Sequence, residues 1–254
     1  MKLKIISFLV VLLTTTTFSQ SDRAYKAERT KTLSLIHTKL KVDFNFANQT
    51  MDGEAWVTVS PYFYAQDKVV LDAKSMLIHS VMMANKSLEY TYDNTQLTIN
   101  LPRSFKRSEE FTLYVKYTAQ PEKVNQKGSQ AITSAKGLYF INPTGLQKDK
   151  PTQIWTQGET EASSCWFPTI DAPNQKTSQE IYITVPNKYT TLSNGKLESQ
   201  TEHTNGTRTD YWNFKQKHAP YLFFMGIGDY EIIEDRYNTI PVRYYVEKKI
   251  RTSC

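Results

Sequence analysis

Gln153-Ile154-Trp155-Thr156-Gln157-Gly158-Glu159-Thr160-Glu161-Ala162-Ser163-Ser164-Cys165-Trp166-Phe167-Pro168-Thr169-Ile170-Asp171-Ala172-Pro173 is the stretch that decides how the rest of this chain is taken. An apolar pair, Ile154-Trp155, leads into Gln157-Gly158-Glu159, where an amide and a carboxylate stand two residues apart. In extended backbone residues i and i+2 face the same way, so both polar heads are offered to one side. Two aromatic fillers, Trp166 and Phe167, follow. Pro168 and Pro173 fix φ and turn Phe167 and Ala172 away from helix, which makes the segment rigid and irregular, as function-bearing loops are. An amide and a carboxylate on one face, with aromatics around them, can hold a cationic amine and a peptide carbonyl. The same residue types also suit a solvated carboxylate at a strand end and an amide tied to backbone, so residue chemistry leaves both readings open.

Working outward, the flanks alternate with a period of two. Ile36, Thr38, Leu40, Val42, Phe44 and Phe46 interleave with polar residues, which predicts a half-buried strand. Asn48 to Gly53 supplies turn chemistry, Asp52-Gly53 being its sharpest signal, and Ala55, Val57 and Val59 form the return strand up to Pro61. Short strands follow at Val69–Ala73, Leu77–Met83, Leu88–Tyr92, Leu97–Leu101 and Phe111–Tyr117, then a polar, aperiodic loop from Thr118 to Lys136. Beyond the central stretch come Ile181–Val185, a turn at Leu192-Ser193-Asn194-Gly195, and strands at Tyr211–Phe214, Tyr221–Met225, Tyr230–Ile233 and Val242–Val246. Strands so spaced, with no helical period between them, predict an all-β chain folded as a large antiparallel β-sandwich or open barrel.

The N-terminus has a different composition. Lys2 and Lys4 precede an apolar run from Ile5 to Leu13 and a zone of small residues ending near Gln20. A basic start, an apolar stretch of about 7 to 15 residues and small residues at the cut make a cleaved export signal. The run is shorter than the ~20 residues needed to span a bilayer. The chain accordingly divides into a signal peptide (1–20), a polar leader (21–32), a β domain (33–247) and a tail (248–254) that ends as if truncated, and the product is exported, periplasmic or secreted. No later stretch predicts a membrane span.

With 39% hydrophobic and 13% aromatic residues the chain can build a core. Its formal charge of +6 falls to +4 once Lys2 and Lys4 leave with the signal peptide, and the excess is scattered. No basic block interleaved with aromatics appears, which argues against a nucleic-acid partner. Cys165 and Cys254 could form one bridge, a matter geometry decides. His37, His79, His203 and His218 are dispersed without metal-ligand spacing, so no metal site is expected and no cofactor belongs to this chain.

Thr156-Gln157-Gly158-Glu159, followed by Phe167-Pro168, Asp171 and Pro173, resembles the T-Q-x-E … F-P-x-x-D-x-P signature of the aminopeptidase N family of zinc metallopeptidases. Gly137-Leu138-Tyr139, the Leu192–Gly195 turn and the Pro220–Tyr230 segment agree with further landmarks of that family. The resemblance covers roughly Leu33 to Val246. It implies the saddle-like N-terminal β domain that precedes the catalytic domain, with Gln157 and Glu159 reaching over the zinc site and Glu159 holding the free α-amino group of a peptide substrate. Two departures stand out: the family commonly has Arg where Ser164 stands and Cys where Thr169 stands. Neither the G-A-M-E-N segment nor the H-E-x-x-H helix that binds the family's zinc occurs in the sequence, so the chain is expected to be inactive alone. The chain then reads as a fragment, a truncated reading frame or an isolated docking domain; the partner implied is the N-terminus of a peptide, met in the context of a catalytic domain, with a separately encoded catalytic chain as a further alternative. The alternative reading is a freestanding exported β-sandwich that binds a protein or glycan surface through its Tyr and Trp residues.

Overall fold

The computed structural model describes residues 29–125 and 133–248. The expected signal peptide, most of the expected polar leader, Cys254 and nearly all of the expected tail lie outside the described residues. The chain divides into two compact units, Met1–Lys31 and Thr32–Cys254, and every described strand belongs to the second.

Seventeen strands are described: β1 (Leu33–Asn45), β2 (Thr50–Pro61), β3 (Gln66–Asp72), β4 (Met76–Met83), β5 (Lys86–Ser87), β6 (Tyr90–Tyr92), β7 (Gln96–Phe105), β8 (Phe111–Ala119), β9 (Leu138–Ile141), β10 (Gln153–Thr156), β11 (Thr177–Pro186), β12 (Thr190–Ser193), β13 (Lys196–Glu202), β14 (Thr207–His218), β15 (Met225–Gly228), β16 (Tyr230–Tyr237) and β17 (Ile240–Glu247). Eight of them form one large sheet in the order β13-β14-β11-β1-β2-β8-β4-β5. A three-stranded sheet, β3-β7-β6, and a four-stranded sheet, β12-β15-β10-β9, are smaller, and β16 and β17 pair only with each other. One continuous core joins the three larger sheets: Leu40, Val57, Val115 and Ile183 from the eight-stranded sheet meet Leu71 and Ile99 from the second and Ile154 and Ile227 from the third. The fold is the layered all-β arrangement that the alternation predicts.

Four details differ from the sequence reading. The opening turn spans Phe46–Gln49, closed by the Gln49 N–H on the Phe46 carbonyl, and Asp52-Gly53 lies inside β2. Gly53 is there because Tyr117 crosses it: a Cβ would lie 2.3 Å from the tyrosine ring. Secondly, β1 pairs antiparallel with β2 but parallel with β11, so the sheet is mixed. A parallel neighbour needs a long crossover, and here everything from β2 to the central stretch provides it. Thirdly, Ile36 sits at a bulge between Leu35 and His37, so Leu33 and Leu35 enter the core on one phase and Thr38, Leu40 and Val42 on the other. Lastly, Thr118 and Ala119 belong to β8, Leu192 and Ser193 belong to β12, and Pro220–Leu222 form a 3₁₀ turn that takes the first two residues of the predicted Tyr221–Met225 strand, of which only Met225 is in β15.

The buried Gln175 ties the central stretch to β1. Its side-chain oxygen accepts from the Leu35 N–H at 3.0 Å, and its amide donates to the Leu33 carbonyl at 2.8 Å. A side-chain amide thus stands in for a strand where β11 has not yet begun, and satisfies backbone groups that would otherwise be buried unpaired.

Candidate substrate-docking site

β10 lies between β9 and β15, and its outward and inward residues alternate as the sequence requires: Ile154 and Thr156 are buried while Gln153 and Trp155 are half-buried on the outer side. The ladder runs one residue past the strand, because the Gln157 N–H donates to the Gly137 carbonyl at 2.9 Å. Gln157 is therefore held as strand backbone, on the same side as Trp155. Its amide Nε2 donates to Glu159 Oε2 at 3.3 Å, so the two predicted site residues are together and face one way. Gln157 is half-buried and Glu159 exposed.

Gly158 lets the chain pass between them. A Cβ at this position would lie 2.3 Å from the Tyr221 carbonyl oxygen and 2.5 Å from Ser163 Oγ, contacts no side chain tolerates. The following turn is pinned from both ends: Ala162 N–H donates to the Gly158 carbonyl at 2.8 Å, and the Ser163 hydroxyl donates to the Pro220 carbonyl at 2.8 Å. Thr156 Oγ1 accepts from the Met225 N–H at 3.0 Å, and Asn194 bridges Leu222 and Phe224 with its side-chain amide. Asn194 of the predicted turn thus braces the segment under the site.

Trp166 and Phe167 are fully buried, as fillers should be, and Phe167 stacks on Phe223 at 5.0 Å, which stacks on His218 at 4.7 Å. Burial holds His218 well below its usual range, at about 4, so it is neutral at physiological pH. Where the family commonly has Arg, the Ser164 N–H donates to the Asp171 carboxylate at 2.8 Å, and the Asp171 N–H donates to Asp72 Oδ2 at 2.9 Å. Burial pushes Asp171 up to about 6, and Asp72 adds to the effect against the opposing Ser164 bonds and Lys74. Thr169 pairs its backbone with Asp72 in both directions, but its buried hydroxyl meets no partner. Among the described residues Cys165 has no disulfide partner; burial pushes its thiol up to about 12, so as a thiol it is not a nucleophile at neutral pH.

The described histidines do not converge. His37 bonds Ser178 and Glu180, His79 bonds Thr118, His203 bonds Thr209, and His218 lies among aromatics. Among the described residues no group of three or more His, Cys, Asp or Glu is placed to hold a metal ion. These side chains do not fit a zinc site, and no step through a metal follows from them. An open recess of about 890 Å³ lies on the eight-stranded sheet, lined by Lys41, Asp43, Asp52, Glu54, His79 and Lys116, without Gln157 or Glu159. It is a furrow of cross-strand charges such as Lys41 opposite Glu54.

A large sheet and two smaller ones around one core, with an amide–carboxylate pair at the end of a strand, define an all-β scaffold domain. The chain belongs to the family of the peptidase M1 N-terminal domain, whose family model matches residues 34–222. It is 28% identical over 226 residues to a puromycin-sensitive aminopeptidase of Caenorhabditis elegans, covering 83% of this chain and 22% of that protein. It is also 24% identical over 195 residues to transcription initiation factor TFIID subunit 2 of Schizosaccharomyces pombe, covering 67% of this chain and 16% of that one. Among solved structures it resembles an M1 zinc metallopeptidase from Deinococcus radiodurans, with a TM-score of 0.70 at 18% identity over 84% of this chain and 46% of the other. A two-domain M1 zinc metallopeptidase variant bound to L-tryptophan gives a TM-score of 0.72 at 16% identity, over 86% and 48% of the two chains. The chain spans about a fifth of the length of the curated relatives it matches and just under half of these solved chains.

Proposed function

We propose that this chain is the substrate-docking N-terminal domain of an exported zinc aminopeptidase, acting beside a catalytic unit that carries the metal. The observation that carries the reading is the Gln157–Glu159 pair, joined at 3.3 Å on the open side of β10 and braced by Gly158. A carboxylate with an adjacent amide is the chemistry that recognises a peptide's terminal ammonium, and the charge-assisted hydrogen bonds it makes are the strong kind. Holding that ammonium fixes register, so the first peptide bond falls at the catalytic centre of the partner. The chain is similar to aminopeptidases and to a transcription factor subunit alike, so the site residues and not the fold carry the functional reading.

The test compares a free dipeptide amide with its N-acetylated form, titrated into the chain and followed by amide chemical shifts at Gln157 and Glu159. The free amine is expected to bind more tightly, and Glu159→Ala to erase the difference while leaving the fold intact. The matching substitution in a full-length relative should lower catalytic efficiency by roughly 30-fold or more, the scale for leaving a charge unpaired in a closed site. Survival of the amine preference in Glu159→Ala, with a fall in thermal stability, overturns the reading and leaves Glu159 a strand-end carboxylate.

A further inference from the structure

The outer side of β10 carries more than the polar pair. Trp155 stands opposite Tyr139 in the β9–β10 register, and their rings stack at 4.4 Å with an interplanar angle of 16°. The Tyr139 hydroxyl donates to the Ser134 carbonyl at 2.6 Å, which fixes the ring before any ligand arrives. Both rings are half-buried on the side of the sheet away from the core. On the other flank Trp155 faces Gly226 of β15, whose missing side chain leaves room for a neighbouring ring. The end of the Phe224 ring closes over that glycine, 3.1 Å from where a Cβ would stand, and the Tyr230 hydroxyl lies at 3.9 Å from the same point. Three strands thus contribute to one aromatic surface that the core does not use.

This surface adjoins the polar pair. Successive side chains on one side of a strand are about 6.7 Å apart, and Trp155 is one such repeat from Gln157. The hydrogen bond from Gln157 draws the Glu159 carboxylate back toward the strand. Ammonium and side chain of a peptide's first residue leave the same carbon. An ammonium held where the Gln157 amide meets the Glu159 carboxylate stands about one such repeat from Trp155, and the apolar surface met from there along the strand is Trp155 with Tyr139.

Resting on the docking role given above to Gln157 and Glu159, we propose that the Tyr139–Trp155 stack seats the side chain of the substrate's first residue and selects aromatic and large aliphatic ones. A flat, rigid indole offers contact area at little entropic cost, and aromatic pairs favour the offset or edge arrangements that a stacked platform presents.

Three probes decide it: Phe-Ala amide, Gly-Ala amide and N-acetyl-Phe-Ala amide, titrated into the chain with tryptophan fluorescence and calorimetry as readouts. The expected result is a preference of about tenfold for Phe-Ala over Gly-Ala, the size that partial burial of one aromatic side chain provides. Trp155→Leu, which keeps apolar bulk in the sheet, should reduce that preference while free amine is still favoured over N-acetyl. Trp155→Ala and Tyr139→Leu should do the same, and circular dichroism checks that each variant is folded. Equal affinity for Phe-Ala and Gly-Ala, or no binding of either at millimolar peptide, overturns the proposal. So does loss of thermal stability in Trp155→Leu with the preference unchanged, which makes the stack a brace for β9. If N-acetyl-Phe-Ala binds as well as Phe-Ala while the aromatic preference persists, the ammonium role of Glu159 fails and the aromatic seat stands.

Discussion

At the scale of single residues, the ground beneath the site is set by groups buried away from their preferred state. Asp171 is 5% exposed and displaced from 3.8 to about 6, so over that interval the folded chain binds more protons than the unfolded one. Stability then falls as pH rises from about 4 to 6, by an amount on the order of 3 kcal/mol. His218, lowered from 6.5 to about 4, acts in the opposite sense: the unfolded chain takes the proton first, so stability rises as pH climbs through nearly the same window. Their opposition predicts a shallow profile for the native chain. Asp171→Asn, which keeps an acceptor for the Ser164 N–H, should leave the rising His218 component exposed. Thermal melts from pH 4 to 7 would show the variant gaining on the native chain as pH increases; a parallel pair of curves would count against a charged, buried Asp171. Thr169 carries a simpler consequence. Its buried hydroxyl has no partner, so Thr169→Val, close in shape, should raise stability by about 1 kcal/mol, read as a higher melting temperature.

Elements differ in how firmly they are held. β16 and β17 pair with each other over eight registered positions and with no other described strand. They also carry Ile232, Ile233, Tyr237, Ile240 and Tyr244 among the exposed large apolar side chains. A two-stranded ribbon with little burial is marginal by itself, so its amides should exchange about tenfold or more faster than those of β1 and β2. Native-state hydrogen exchange would measure this, and equal protection would mean that the hairpin shares the global stability. The strands visible in the sequence are those with one face on the core: β1 beyond its bulge, β2, β7, β8 and β11 alternate because buried residues such as Leu40, Val57, Ile99, Val115 and Ile183 recur at every second position. β13, with mostly exposed residues in Lys196–Glu202, has no apolar face to announce it, and the sequence offers no sign of it. The Gln157–Glu159 pair was legible because its i, i+2 spacing and its surroundings are local. Gln175 bonding β1, Ser163 bonding Pro220, and the Tyr139–Trp155 stack were not, because each joins positions that only the folded sheet order brings together.

Across the whole molecule, the sheet order places β1 between β2, its neighbour in sequence, and β11, which begins more than a hundred residues later. The centre of the large sheet cannot close until both halves of the chain are present, and such non-local pairing is slow to form. Residues 29–125 alone therefore lack the parallel partner of β1 and the Gln175 clasp, and should show no cooperative unfolding and little amide shift dispersion. A well-dispersed spectrum from that fragment would show that β1 is stable on β2 alone. The two margins of the same sheet have a consequence for how the protein behaves in concentrated solution. One margin is β5, only two residues long; the other is β13, where Lys196 and Glu198 pair at 3.0 Å among exposed polar side chains. Fibrils grow when an unpaired strand recruits another of its kind, and short or charged margins refuse that recruitment. On its β13 side, the large sheet is therefore built so as not to template aggregates of itself.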